Sequence, residues 1–94
     1  MDIGKAIKDY RVSKGFKQNE FAEKCNLTQA YLSKIESNHK EPTLSVLKTI
    51  AQTLSVPLPV LFFLSLTLED IDPKKREHFD MLFPSINGMI NKFF

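Results

Sequence analysis

The chain has 94 residues, of which 43% are hydrophobic and 26% are charged, as is ordinary for one small globular domain. Its net charge of +2 is too small to identify a nucleic-acid binder, although residues 1–62 hold nine basic against six acidic residues. The single cysteine excludes an intrachain disulfide bond. The chain opens without a signal peptide, and its most apolar run, residues 58–68, is too short to span a bilayer. We therefore expect a cytoplasmic protein that does not enter a membrane.

The sequence gives no indication of catalysis or of metal binding. His39 and His78 have no Cys, Asp or Glu at ligand spacing, so we expect no metal site and no cofactor. No nucleophile–base grouping and no glycine-rich phosphate loop occurs, so we do not expect an enzyme. Cys25 lies on the apolar face of a predicted helix and is interpreted as a small buried hydrophobe.

Two helices are predicted at the start of the chain. The first spans about residues 2–14 and is ended by Gly15, which tolerates the backbone conformation that closes a helix. The second spans about residues 18–25. It begins after Lys17, a residue whose side chain cannot cap a helix by accepting hydrogen bonds. Asn26 is predicted in the left-handed region, which asparagine adopts more readily than most residues.

A third helix is predicted at about residues 29–37, joined to the second by a three-residue turn. Thr28 is suited to cap its first turn, and Asn38 is expected in a left-handed conformation at its end. Its polar face carries Gln29, Ser33 and Lys34, side chains suited to touch base edges and phosphates in a DNA major groove.

Two further helices complete the first region, residues 1–66. The fourth spans about residues 44–54 and is capped by Thr43, with an apolar stripe facing inward. The fifth spans about residues 58–66, where Pro59 is acceptable because the first turn of a helix needs no intrahelical N–H partner.

Residues 67–94 are predicted to form a C-terminal helical extension, after an acidic linker that ends near Asp72. Large apolar residues recur there at helical spacing, and Pro84 is expected to kink the helix or to split it in two. Burying one such side chain is worth roughly 1.5–3 kcal/mol, so the stripe is expected to pack on something. The stripe comprises Phe79, Leu82, Phe83, Ile86, Met89, Ile90 and Phe93.

The ordered residues of the first five helices resemble the Cro/C1-type (XRE-like) helix-turn-helix repressor family. The resemblance covers roughly residues 2–63, and the set carries it rather than any single residue. It implies an all-α fold: a compact five-helix, lambda-repressor-like DNA-binding domain, here with an additional C-terminal helical segment. The matching residues are Gly4, Ile7, Arg11, Gly15, Gln18, Phe21, Ala22, Leu27, Ser33, Ile35, Glu36, Pro42, Leu47, Ala51, Leu54 and Val56.

Gln29 is the leading candidate for reading a base, because a glutamine amide can bond adenine bidentately and the resemblance implies a base contact at this position. The predicted base-contacting residues are Thr28, Gln29, Ala30, Ser33 and Lys34. The predicted phosphate-contacting residues are Arg11, Gln18, Asn19, Tyr31 and Lys40. For Tyr31 a place in the core is an equal alternative, and Lys40 is nearly as well explained as an ordinary surface lysine.

The resemblance also implies a structural salt bridge between Arg11 and Glu36, which would join the first helix to the third. Arginine can hold a carboxylate bidentately and still offer donors outward. The alternative is two independent surface charges.

We expect a sequence-specific transcriptional regulator, most simply a repressor, that binds double-stranded DNA at a palindromic operator as a homodimer. One alternative is a DNA-binding antitoxin whose tail binds a toxin, which makes a toxin or an anti-repressor a possible protein partner. Others are a protein-interaction adaptor that retains the fold, and a restriction–modification controller as a subtype of regulator.

The C-terminal region is expected to build the dimer interface, since it holds more large apolar residues than a five-helix core should absorb. The alternative is that the last helix folds back onto its own fourth and fifth helices. The predicted interface residues are Leu61, Phe62, Leu64, Phe79, Leu82, Phe83, Ile86 and Ile90.

Overall fold

The computed structural model describes all 94 residues and contains six α-helices and no strand, which confirms the predicted all-α fold. The helices are α1 (Ile3–Ser13), α2 (Gln18–Lys24), α3 (Gln29–Glu36), α4 (Leu44–Thr53), α5 (Leu58–Leu64) and α6 (Arg76–Phe93). Single 3₁₀ turns lie at Leu68–Asp70 and Pro73–Lys75. No helix is long and apolar enough to cross a membrane by itself. The one pair that passes by combined length and composition, α4 with α5, is bent by 94°.

The helix starts follow from local side-chain chemistry. The hydroxyl oxygens of Thr28 and Thr43 accept hydrogen bonds from backbone N–H groups three residues on, at 3.1 and 3.2 Å, and so cap α3 and α4 as predicted. At the start of α2 the Lys17 side chain has no acceptor to offer. Instead the Glu20 carboxylate accepts a hydrogen bond from the Lys17 backbone N–H at 3.3 Å, which is half of a capping box.

The first four helices end in the same motif, a residue in the left-handed region whose N–H, with that of the next residue, bonds back to the last helical turn. The left-handed residues are Gly15, Asn26, Asn38 and Ser55, with φ between 58° and 83°. The conformations predicted for Asn26 and Asn38 are confirmed. Ser55 gave no such signal, because serine is not a residue that favours positive φ.

One hydrophobic core lies among α1 to α5 and receives a single buried side chain, Ile90, from α6. Cys25 is 3% exposed within it, and burial raises the pKa of its thiol, so the side chain stays protonated and acts as a small hydrophobe. The buried hydrophobic residues are Ala6, Ile7, Tyr10, Phe21, Ala22, Cys25, Leu32, Ile35, Leu47, Ile50, Ala51, Leu54, Val56, Leu61 and Ile90.

The start of α1 lies unusually close to the end of α3. A Cβ atom at Gly4 would overlap the carbonyl oxygen of Ile35 and lie 2.8 Å from that of Glu36. The Asn38 side chain bridges the two helices: its Oδ1 accepts from the Gly4 N–H at 3.2 Å, and its Nδ2 donates to the Asp2 carboxylate at 2.7 Å. This donation lowers the pKa of Asp2. The approach fixes the direction of α3 relative to the rest of the domain.

The C-terminal segment is more regular than the sequence suggested. Helix α6 continues through Pro84 without a break, so the proline does not split it. The linker before it is folded against its first turn, because Nε of Arg76 donates to the carbonyl oxygens of Leu68 and Ile71, at 2.9 and 3.2 Å.

Helix α6 folds back onto its own domain, where it lies against α5 and α1. The alternative to the dimer hypothesis named the fourth and fifth helices, so only its α5 part is seen. The Phe83 ring stacks on Phe63 of α5 with centroids 5.2 Å apart, and Phe79 lies 5.1 Å from Phe83. The prediction of a dimer interface is therefore corrected at two of its residues. Leu61 is fully buried in the monomer and Ile90 is 7% exposed, so neither has surface to offer a partner.

We expect Gly4→Ala to lower the free energy of unfolding by about 1–3 kcal/mol, because the new methyl group meets backbone atoms that cannot rotate away. The matched control is Gly88→Ala in α6, where nothing lies within 4 Å of the added methyl group. That change should stabilise the protein by up to about 1 kcal/mol through helix propensity. Urea unfolding followed by circular dichroism measures both, and equal effects would contradict the close approach.

Candidate DNA-binding surface

Helix α3 has one buried face and one exposed face. Leu32 and Ile35 are fully buried and anchor the helix in the core. The opposite face is exposed at all five positions predicted to contact bases: Thr28, Gln29, Ala30, Ser33 and Lys34. These side chains, four of which are polar, therefore form an exposed surface that is free to enter a groove.

A buried ion pair lies beneath this surface and joins α1 to the end of α3. Nε of Arg11 lies 2.7 Å from Oε2 of Glu36, and Nη2 donates to Oε1 at 3.0 Å. Nη1 donates to the Phe16 carbonyl oxygen at 2.7 Å, which ties in the loop before α2. The two charged side chains are only 8% and 3% exposed, so their mutual bidentate geometry compensates for lost hydration.

Arg11 was also expected to contact a DNA phosphate, and the structure places its side chain beneath the exposed face of α3. All three of its nitrogens already donate to protein oxygens, and the side chain has almost no accessible surface. The guanidinium carries two further N–H groups, so the phosphate contact stays a prediction, and the observed role of Arg11 is to join α1 to α3 and to the loop before α2.

A chain of hydrogen bonds runs from the ion pair to the start of α3. Nε2 of Gln18 donates to Oε1 of Glu36 at 3.1 Å, and Nε2 of Gln29 donates to Oε1 of Gln18 at 3.3 Å. The two glutamines are the first residues of adjacent helices. Glu36 orients the Gln18 amide, and Gln18 in turn orients the Gln29 amide at the surface. The amide of Gln29 is thus held by the protein before any ligand arrives, which reduces the entropy lost on binding.

The remaining phosphate candidates differ in exposure. Asn19 and Lys40 are exposed, and Asn19 lines a shallow groove between α2 and α3 together with Gln29. Tyr31 is half-buried and packs against the core, so only part of the side chain is accessible. After α3, Oγ of Ser37 lies 2.7 Å from Nδ1 of His39 on the exposed turn.

The link from Gln18 to Glu36 was missed at the level of sequence. Gln18 and Gln29 at the first positions of α2 and α3 were visible, and so was Glu36 at the end of α3. Their meeting depends on the angle between α2 and α3, which sequence spacing does not specify. No group of three or more His, Cys, Asp or Glu that could hold a metal ion occurs in the structure.

Comparisons with known proteins assign the chain to a family. A helix-turn-helix family model matches residues 7–61, and the chain belongs to this family, in its Cro/C1 (XRE-like) type. The chain is 41% identical over 61 residues to SlrR, a transcriptional regulator of Bacillus subtilis; the match covers 64% of this chain and 40% of SlrR. It is 38% identical over 60 residues to SinR of the same organism, covering 63% of this chain and 54% of SinR.

Two solved structures extend the comparison. SinR in complex with DNA is similar to this chain with a TM-score of 0.61 and 38% identity, over 64% of this chain and 97% of that one. The hypothetical transcription factor NHTF from Neisseria gives a TM-score of 0.62 at 25% identity, over 85% of this chain and 79% of that one. The similarity to NHTF therefore continues past α5. The chain spans about half or less of the length of the curated relatives SlrR and SinR.

We expect Arg11→Ala to destabilise the fold by about 3–5 kcal/mol, because it leaves the Glu36 carboxylate buried without its partner. Glu36→Leu alone should be similarly harmful, and the double change Arg11→Met with Glu36→Leu should cost much less than the two single changes together. Urea unfolding of all variants measures the coupling. Strictly additive effects would mean that the two charges act independently.

Proposed function

We propose that this protein is a sequence-specific DNA-binding transcriptional regulator that reads the major groove with α3. The observation that carries the proposal is the exposed Gln29 amide, held by Gln18 and through it by the buried Glu36. An amide oriented in advance is suited to discriminate a base edge, whereas a freely rotating one is not.

Sequence reading is proposed for the exposed face of α3. The free amide groups of Gln29 can bond the N6 and N7 edge of adenine, and Ala30 can meet a thymine methyl group. Ser33 and Lys34 lie one turn further along the same face, within reach of the next base pairs or their phosphates.

Phosphate contacts are proposed for the flanks of this face. Gln18 and Asn19 open α2, the helix that crosses the DNA backbone in this docking geometry. Lys40 lies on the exposed turn after α3 and supplies a positive charge there, and the half-buried Tyr31 is the remaining candidate. These contacts fix the register of α3 without reading sequence.

We further propose that the protein acts as a homodimer on a palindromic operator. One α3 helix covers only a few base pairs, and a two-fold axis doubles the contacts while it sets half-sites about one helical turn apart. Repression follows where the operator overlaps a promoter.

We expect Gln29→Ala to weaken binding to the operator by about 1–3 kcal/mol while binding to random duplex DNA changes little. The operator is obtained by selecting bound fragments from genomic DNA, and affinities are measured by fluorescence anisotropy. Equal losses on both duplexes would remove Gln29 from sequence reading.

The contrasting variant is Lys40→Ala, which should weaken binding to all sequences to a similar extent. Loss of one phosphate contact should also reduce the slope of log affinity against log salt by about one. An unchanged slope would show that Lys40 is an ordinary surface lysine.

A further inference from the structure

A cavity of about 280 Å³ lies where α6 meets the domain, between α1, the last residue of α5 and the C-terminal half of α6. From α1 it is lined by Asp9, Tyr10 and Ser13. From α6 it is lined by Asn87 and Asn91. The polar side chains of the two helices thus face a shared space and do not bond each other across it.

The hydroxyl group of Tyr10 is the most informative of these groups. Tyr10 is only 7% exposed and belongs to the hydrophobic core, yet no protein group bonds its hydroxyl. Every fully enclosed side-chain nitrogen or oxygen has a hydrogen-bond partner, so this hydroxyl opens into the cavity that Tyr10 lines. Burial raises the pKa of Tyr10, so the hydroxyl stays protonated and can donate. A buried tyrosine usually has a partner for this group.

Asn87 shows the same mismatch on α6. It lies on the face of the helix that packs on the domain, between Phe83 and Ile90 at spacings of four and three. It is half-buried and its amide bonds no other side chain, although a buried amide without a hydrogen bond costs free energy. An apolar residue at this position would complete the packed face. Asn91 follows one turn later and brings a second amide to the same cavity.

The cavity carries no unmatched charge. The Asp9 carboxylate lies 2.6 Å from the ammonium group of Lys5, one turn earlier on α1, so the two charges neutralise each other. A second cation, Lys14, lies over the Tyr10 ring, but its ammonium group donates to the carbonyl oxygen of Phe94. An anionic ligand would meet a carboxylate and no free cation, and a cationic ligand would compete with Lys5. A neutral ligand therefore fits best.

The lining is suited to a ligand that both donates and accepts hydrogen bonds at several points. A ligand hydroxyl can donate to the Asp9 carboxylate or to an amide oxygen, and it can accept from Tyr10 or from an amide N–H. The apolar side chains of Ala6 and Leu64 are suited to the C–H groups of such a ligand. Small-molecule sites span roughly 300–1,000 Å³, so a cavity at the lower end of this range has room for one sugar ring.

We infer that this cavity is a binding site for a neutral, hydroxyl-rich molecule of the size of a monosaccharide, held between α1 and α6. The inference goes beyond the proposed function and does not depend on it. A ligand bound there adds contacts between α1 and α6, so it stabilises the packing of the C-terminal helix on the domain.

Nuclear magnetic resonance titration of the full chain with D-glucose, D-galactose, D-mannose and D-ribose tests the site. We expect at least one of these sugars to shift the backbone amide signals around Tyr10 and Asn87 saturably, with a dissociation constant of about 10 mM or below. The phosphate ester of the same sugar should bind at least about tenfold more weakly, because the cavity offers its charge no free cation. The inference fails if no sugar produces these shifts, or if the ester binds equally well.

Two variants separate a built site from weak surface binding. Tyr10→Phe removes only the hydroxyl, so we expect it to weaken sugar binding by about threefold to tenfold and to leave the melting temperature unchanged. Asn87→Leu fills the cavity and completes the packed face, so it should abolish binding without lowering the melting temperature. Its matched control, Ser85→Leu, places the same side chain on the opposite, exposed side of α6 and should leave sugar binding unchanged.

Unchanged sugar affinity in Tyr10→Phe or in Asn87→Leu, or an equal loss in Ser85→Leu, would overturn the inference. Binding of the wild-type protein to the selected operator is measured separately, because none of these residues lies on the exposed face of α3. Specific operator binding without sugar binding removes the inference and leaves the proposed function standing. Sugar binding that depends on Tyr10 and Asn87, without specific DNA binding, gives the reverse result.

Discussion

The buried pair of Arg11 and Glu36 is the constraint on which the candidate DNA-binding surface depends. Two charges with almost no accessible surface are stable only while they satisfy each other, so the ends of α1 and α3 cannot separate without a large cost in free energy. Because Gln18 bonds the same carboxylate, α2 is held in the same arrangement. The buried pair thus determines where three helices lie.

Much of this arrangement was predictable because it is encoded locally. Thr28 and Thr43 predict helix starts, because their side chains cap backbone N–H groups close by in the sequence. Asn26 and Asn38 predict left-handed helix ends, because asparagine adopts positive φ readily. The features that escaped prediction join distant parts of the chain. Gly4 matches the family pattern, but the sequence does not show why glycine is needed there. Only the packed structure reveals that position 4 lies against the last carbonyl groups of α3.

Helix α6 shows the same limit of prediction from sequence. Its apolar periodicity was visible, but periodicity alone does not divide one apolar arc into a half that the domain covers and a half that it leaves exposed. Phe83 and Leu82 are neighbours in sequence and point to different surroundings. The continuity of the helix at Pro84 was equally hidden, because a proline inside a helix removes a backbone hydrogen bond and usually kinks or breaks the helix.

The four left-handed helix ends differ in how freely evolution or design can change them. At Gly15 any side chain would add strain, and at Asn38 the amide holds α1 to α3, so both positions are restricted. Ser55 has neither restriction: it adopts φ of 58° without a side-chain bond that requires serine. Glycine or asparagine fits the same conformation, and the site lies at the end of α4, away from the polar face of α3. Ser55 is therefore a position where thermal tolerance can be adjusted without changing any residue of the polar face of α3.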